Sequence, residues 1–263
     1  MTGRREVPRR NVPPLLVAIE GPSGIGKSTL TARAAAAFGW AALAEAYDRL
    51  DPPPDITVPT VSALARTERA LLAEEGRRWR TAVALRNRGA TVVADTGFLG
   101  PLTYTHGMVV LRTAPPALHT ELVGRARAMA ARGRWGLPDL ILCLTSRTAT
   151  RRLRTERDPA RHPASLRERH EAVGRVEQRF YRQLRRRYPG RVRFLNAEGS
   201  VDAQVARLPR ILRGVLPRRH PTADALRVLG HLGPPAVRTI RRGRRRRPVI
   251  VKKSTLPPRG PSR

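Results

Sequence analysis

The run "EGPSGIGKST", from Glu20 to Thr29, constrains the fold of this chain more than any other stretch of its sequence. Before it stands "LLVAIE" (15–20), wholly apolar apart from its last residue and bounded by Pro-Pro and Gly-Pro, which reads as a buried strand. After it comes "KSTLTARAAAAF", a helical segment that Gly39 stops. Strand, glycine-rich turn and helix in that order open an α/β protein. Further strand candidates are "AALAEA" (41–46), "ATVVAD" (90–95), "PDLILCL" (138–144) and "RVRFLN" (191–196). Helical patterns fall at 61–88, 117–131, 147–157, 165–188 and 201–213. Apolar strands that alternate with helices predict a mainly parallel sheet of about five strands, covered on both faces, in a three-layer α/β arrangement.

The turn has a chemistry of its own. Gly21, Gly26, Lys27 and Ser28 satisfy G-x-x-x-x-G-K-[ST], with Pro22, Ser23, Gly24 and Ile25 between the glycines and Thr29 after the serine. Glycines let the backbone curl until its N–H groups face inward on phosphate oxygens. The following helix N-terminus adds partial positive charge at the same point. The Ser28 hydroxyl suits a magnesium ion. The chain carries 52 Lys+Arg, yet Lys27 is the only lysine before Lys252. A compact ammonium on a flexible stem reaches between β- and γ-phosphates, where a planar guanidinium would crowd the loop. Residues Gly21–Thr29 are therefore expected to bind Mg·ATP.

On these residues the chain resembles the P-loop kinases, in particular the thymidylate kinase and deoxynucleoside kinase group. "LLVAIEGPSGIGKSTL" is similar to that group's first strand, loop and helix. "PDLILCLTSRTATRRLRTERD" resembles its fourth strand and the helix entering an arginine-bearing lid, and "RFYRQLRRRYPGRVRFLNAEGSVDAQV" its closing elements. The likeness spans roughly residues 15–213. It implies a P-loop NTPase fold and transfer of the γ-phosphoryl of ATP to a small acceptor, most naturally a nucleoside or nucleotide. It also implies roles for particular residues. Asp95, in "VVADTGF", stands where the group carries an Asp-Arg pair near acceptor and magnesium, but Thr96 replaces the arginine. That departure speaks against a nucleoside monophosphate acceptor. Independently of the likeness, Asp95 ends a strand on the edge where α/β proteins bind ligands, as base or magnesium ligand. Glu45 matches an acid close to the phosphoacceptor. Arg151, Arg152, Arg154 and Arg157 fall in the lid, with Arg152 and Arg157 expected to neutralise charge on the transferring group.

Composition adds partners and limits. A formal charge of +32 attracts polyanions, although coding from GC-rich DNA also produces chains rich in Arg, Ala, Pro and Gly. Residues 1–14 read as a basic leader, 15–216 as the P-loop kinase-like domain, and 217–263 as a flexible basic tail with 14 Lys+Arg against Asp224 alone. That tail is a candidate for non-specific nucleic-acid contact, and a homodimer is a further candidate assembly. Aromatic residues are 4% of the chain, too few for a visible base-stacking platform. The lone Cys143 excludes an intrachain disulfide and a cysteine zinc site and is expected to be buried. No apolar run approaches a membrane span, and a cytoplasmic location is expected. Tyr104 and His106 are candidates for the acceptor pocket. Two alternatives stand beside the nucleoside or nucleotide reading. One is a kinase of another small alcohol, such as an antibiotic; the other is a regulatory P-loop ATPase that binds nucleic acid.

Overall fold

The computed structural model describes residues 13–54, 60–157 and 164–232. Five strands form one sheet: β1 (Leu16–Glu20), β2 (Ala41–Leu43), β3 (Val92–Asp95), β4 (Leu140–Thr145) and β5 (Val192–Asn196). Their order is β2-β3-β1-β4-β5, and every pairing is parallel. All five residues of β1 are buried, as a central strand covered on both faces requires. Side chains alternate between two cores. Leu16, Val92, Ala94, Ile141 and Cys143 face one, and Val17, Ile19, Val93, Leu142 and Leu144 face the other.

The second core is closed by α1 (Lys27–Phe38) and α7 (Val201–Leu212) through Leu30, Ala34, Val205 and Leu208. The first lies beneath α2 (Val61–Asn87), α3 (Gly100–Val110), α4 (Pro116–Ala131) and α6 (Ala164–Arg187). Helix α2 is opened by the Thr60 hydroxyl, which accepts from the Ala63 N–H at 3.1 Å. Helix α5 (Thr148–Glu156) leaves the carboxyl end of β4 towards the glycine-rich turn. The three-layer parallel architecture expected from the sequence is the one observed. The second strand is shorter than the apolar run suggested, ending at Leu43, so Glu45 sits in the loop that follows it.

Two helices were not foreseen. Helix α3 buries residues on every side, Leu102, Thr103, Thr105, Gly107, Met108 and Val109 among them, so it shows no apolar stripe to read. The second is α8 (Pro221–His231), which corrects the expected boundary at residue 216. Ala225, Val228, Leu229 and Leu232 recur at helical spacing and are buried within 1% of completely, packed on α4. His119, itself fully buried on α4, donates from Nε2 to the Leu232 carbonyl at 2.7 Å. Arg218 pairs with Asp224 at 2.6 Å and donates its backbone N–H to the Asp139 carboxylate. A composition averaged over residues 217–263 hid this folded stretch, whose single acid is the one that neutralises its arginines. Residues 233–263 of the expected tail and 1–12 of the expected leader lie outside the described residues. Among the described residues no helix is long and apolar enough to cross a membrane.

Candidate active site

The glycine-rich turn joins the carboxyl end of β1 to the first residue of α1, which is Lys27. Gly21, Gly24 and Gly26 have φ values of 140°, 73° and 100°, a region L side chains enter only with strain. Gly26 caps α1 with no side chain on the free N–H groups, which leaves them for an anion. Lys27 Nζ donates to the Gly21 carbonyl at 3.1 Å and so lies back along the loop. Ser28 and Thr29 follow in the first turn, both exposed.

Beside the loop, at the carboxyl ends of β1, β2 and β3, lies a cavity of about 240 Å³. Gly21, Ser23 and Lys27 form one wall, Glu45, Ala46 and Tyr47 after β2 and Thr96 after β3 contribute another, and α2, α3 and α6 supply most of the rest. Five glutamates line it: Glu20, Glu45, Glu68, Glu75 and Glu177. Of these the sequence had pointed only to Glu45. The other four left a readable signal, because each is an acid on an otherwise apolar surface. Glu68 and Glu75 share the α2 stripe with Leu64 and Trp79, and Glu177 stands between Val173 and Tyr181 on α6. Glu20 ends the fully buried β1. A Cβ on Gly97 would come within 2.1 Å of Glu20 Oε1, so only glycine fits there. Tyr104 and His170 also line the cavity, whereas His106 does not; it is half-buried next to His119, and partial burial lowers its pKa to about 4.

Burial pushes Glu20 up to about 8, with Glu177 adding and the Tyr181 hydroxyl and Lys27 opposing. Burial also pushes Glu68 to about 8, again with Glu177 adding. Glu45 and Glu177 rise for the same reason, each opposed by Lys27, and Glu45 is raised further by Asp95. An unfolded glutamate ionises near 4.5, so between that pH and about 8 the native chain holds protons on Glu20 and Glu68 that the unfolded chain has lost. The stability gained from their neutral forms is complete below pH 4.5 and disappears as pH rises to about 8. The thermal midpoint of the ligand-free protein, followed by calorimetry, should therefore fall between pH 5 and pH 8.5. A midpoint that climbs through this window would contradict the assignment of buried, protonated carboxyls.

The turn after β3 is held from below. Arg78, completely buried on α2, donates to the carbonyls of Asp95 at 2.6 Å and Thr96 at 3.0 Å. Its other end pairs with Glu75 Oε2 at 2.6 Å, and its guanidinium lies over the Phe98 ring. Thr96 adopts φ 56°, an outlier for a β-branched residue and a conformation that persists only when its surroundings impose it. Arg78 thus sets a buried guanidinium against the backbone of Asp95 and Thr96.

Asp95 is buried and does not line the cavity. Among the described residues its Oδ1 has no hydrogen-bond partner, a deficit that a cation would satisfy. One carboxylate, a loop hydroxyl and substrate phosphates are the usual holders of magnesium, so Asp95 and Ser28 fit that ion. Among the described residues no three His, Cys, Asp or Glu side chains converge on a metal site of their own.

Helix α5 lies against the loop. Arg154 donates to the Ile25 carbonyl at 2.7 Å and to the Ala197 carbonyl at 3.1 Å, and Thr155 approaches Gly24. A second cavity of about 300 Å³ opens between α5 and α6, lined by Ser23, Arg151, Arg152 and Arg167 among others. Arg152 forms a two-point ion pair with Glu171, at 3.1 and 3.2 Å. Arg157 caps the end of α5 and is exposed. Arg154, rather than either arginine singled out from the sequence, is the guanidinium in contact with the loop.

No protein-family model and no curated protein matches the chain. Solved structures match its fold. Deoxyadenosine kinase from M. mycoides with bound dATP superposes with a TM-score of 0.63 at 16% identity, covering 76% of this chain and 100% of that one. The same kinase with dCMP and dCDP bound gives 0.58 at the same identity and coverage. Thymidylate kinase from Candida albicans gives 0.55 at 15% identity, covering 76% of this chain and 91% of that one. With its glycine-rich loop after the central strand of a five-stranded parallel sheet, the chain has the fold of the P-loop nucleoside and nucleotide kinases.

Proposed function

We propose that this protein is an ATP-dependent kinase that transfers the γ-phosphoryl group to a hydroxyl of a small acceptor, nucleoside-like in size. The observation that carries this reading is the joining of two sites by one residue. Lys27 belongs to the phosphate loop and also lines the cavity at its side. A phosphate held by the loop N–H groups is thereby next to whatever occupies the cavity, the proximity that phosphoryl transfer needs. The deoxynucleoside and thymidylate kinases of the same fold support an acceptor of this size. A hydroxyl is favoured over a phosphate because the described walls hold five acids and, apart from Lys27 of the loop, no lysine or arginine to pair with an acceptor phosphate.

Residue roles follow from position. The loop N–H groups and Lys27 hold the β- and γ-phosphates. Glu45 lines the cavity beside Lys27, and burial raises its pKa, which makes it a stronger base than a solvated carboxylate. It takes the proton as the acceptor oxygen bonds to the γ-phosphorus and the bond to the β,γ-bridging oxygen breaks, with ADP leaving. Asp95 and Ser28 would hold magnesium, which supplies charge neutralisation between the phosphates. Arg151 and Arg152 of α5 line the neighbouring cavity, which shares Ser23 with the first, and would offset developing charge.

Glu45→Gln keeps the shape of the side chain and removes the base. Turnover should fall by about 10²-fold with ATP affinity unchanged. Equal losses in transfer and in nucleotide affinity would assign Glu45 to binding, and unchanged turnover would remove it from the chemistry.

A further inference from the structure

The cavity has the opposite charge from the molecule around it. The chain holds 52 Lys+Arg and 20 Asp+Glu, yet five of those acids line this one cavity. Among the described residues Lys27 is the only lysine or arginine on its walls. Lys27 Nζ is directed at the Gly21 carbonyl, and Glu75 is matched by buried Arg78. Glu177 has a neutral partner, accepting from the Thr103 hydroxyl at 3.3 Å. Glu68 has less. It is 3% exposed, lines the cavity, and its Oε2 has no hydrogen-bond partner among the described residues.

A buried polar atom without a partner costs free energy, and one that faces a cavity is explained when the occupant supplies the donor. When ionised the Glu68 carboxyl is acceptor-only, and an ionised carboxylate buried in an acidic cavity calls for a cation. Resting on the kinase reading above, we propose that the acceptor carries a protonated amine in addition to its hydroxyl. It is an amino-alcohol, such as an amino sugar, an aminocyclitol or an amino-substituted nucleoside. The hydroxyl faces Glu45 and the phosphate loop, and the ammonium lies against Glu68 and Glu177 from α2 and α6. Burial holds Glu68 protonated to about 8 in the empty cavity, so amine binding displaces that proton. A nucleoside monophosphate, by contrast, brings negative charge towards the same carboxylates with no arginine on the described walls to receive it.

The test uses matched pairs in which one hydroxyl is replaced by an amine: thymidine against 3′-amino-3′-deoxythymidine, glucose against glucosamine, and scyllo-inositol against scyllo-inosamine. Thymidine monophosphate and magnesium alone serve as further ligands. Affinities come from titration calorimetry on the full chain at pH 8 with no ATP present. At least one amine member should bind tenfold or more tighter than its hydroxyl partner, a difference of about 1.4 kcal/mol. Glu68→Gln should reduce that ratio about tenfold without lowering the thermal midpoint, because it removes an unpartnered buried carboxyl. Glu177→Gln should reduce the same ratio, which protects the result if the first variant folds poorly. Hydroxyl partners or thymidine monophosphate binding as well as the amines, saturation of the cavity by magnesium alone, or no amine binding at millimolar concentration would each overturn the proposal. Label transfer from γ-labelled ATP, run on the same panel, separates the two claims. Amines that bind without accepting label refute the kinase reading and leave the cation site standing. Label on hydroxyl and amine partners alike refutes the cation site and leaves the kinase.

Discussion

Lys27→Ala should lower phosphoryl transfer by about 10²–10³-fold, the loss expected when one preorganised charge is taken from a transition state. Replacement by arginine should restore little of it, because the planar fork does not fit between the phosphates of a tight loop. The variant should fold normally. Lys27 is only part-buried, and its ammonium donates to the loop carbonyls of Gly21 at 3.1 Å and Pro22 at 3.5 Å. Steady-state turnover with saturating acceptor measures the effect, and circular dichroism checks the fold. Turnover within threefold of wild type would mean that the loop binds a phosphate without taking part in chemistry.

The second large effect is on stability and lies beneath the site. Arg78→Met should destabilise the protein by about 3–5 kcal/mol, because a buried carboxylate is left without its charge partner. Glu75 is that partner, and the carbonyls of Asp95 and Thr96 lose their donor in the same step. Adding Glu75→Gln should recover part of the loss, since the unpaired charge then goes too. Urea unfolding of the two variants gives both numbers. A loss below 1 kcal/mol for Arg78→Met would show that the turn does not depend on this guanidinium. Thr96 makes the turn worth holding: a threonine at φ 56° relaxes if its carbonyl is released, and Asp95 and Gly97 move with it.

Much of the fold was legible because the sheet obeys local rules. Each strand is a short apolar run between breakers, and residues such as Val92, Val93 and Ala94 have no polar side to place in water. The glycine loop was legible for a stronger reason, since φ values of 73° and 100° and a free helix N-terminus leave few residue types that fit. Helices α3 and α8 were not. The first is buried on every side and has no period; the second is built from a short apolar stripe inside a basic, proline-rich stretch. Its stability comes from contacts far along the chain, such as His119 with the Leu232 carbonyl, which no local pattern shows.

The site divides in the same way. Residues on the loop and at strand ends, Lys27, Glu45 and Asp95, could be picked out by position. Glu68, Glu75 and Glu177 come from two long helices and meet only in three dimensions. Their trace in the sequence was an acid within an apolar stripe, 64–68–75–79 on α2 and 173–177–181 on α6. Burying a carboxyl at such a place costs several kcal/mol unless something pairs with it, so the stripe itself predicts a partner. For Glu75 the partner is Arg78. For Glu68 none is found among the described residues, and it is there that a ligand is expected.

The most direct test is to follow Mg·ATP by phosphorus NMR with the full chain and the acceptor panel. The kinase account predicts ADP and a new phosphomonoester resonance in equal amounts, with both absent in Lys27→Ala. ADP accompanied only by inorganic phosphate, at the same rate with and without any acceptor, would contradict it.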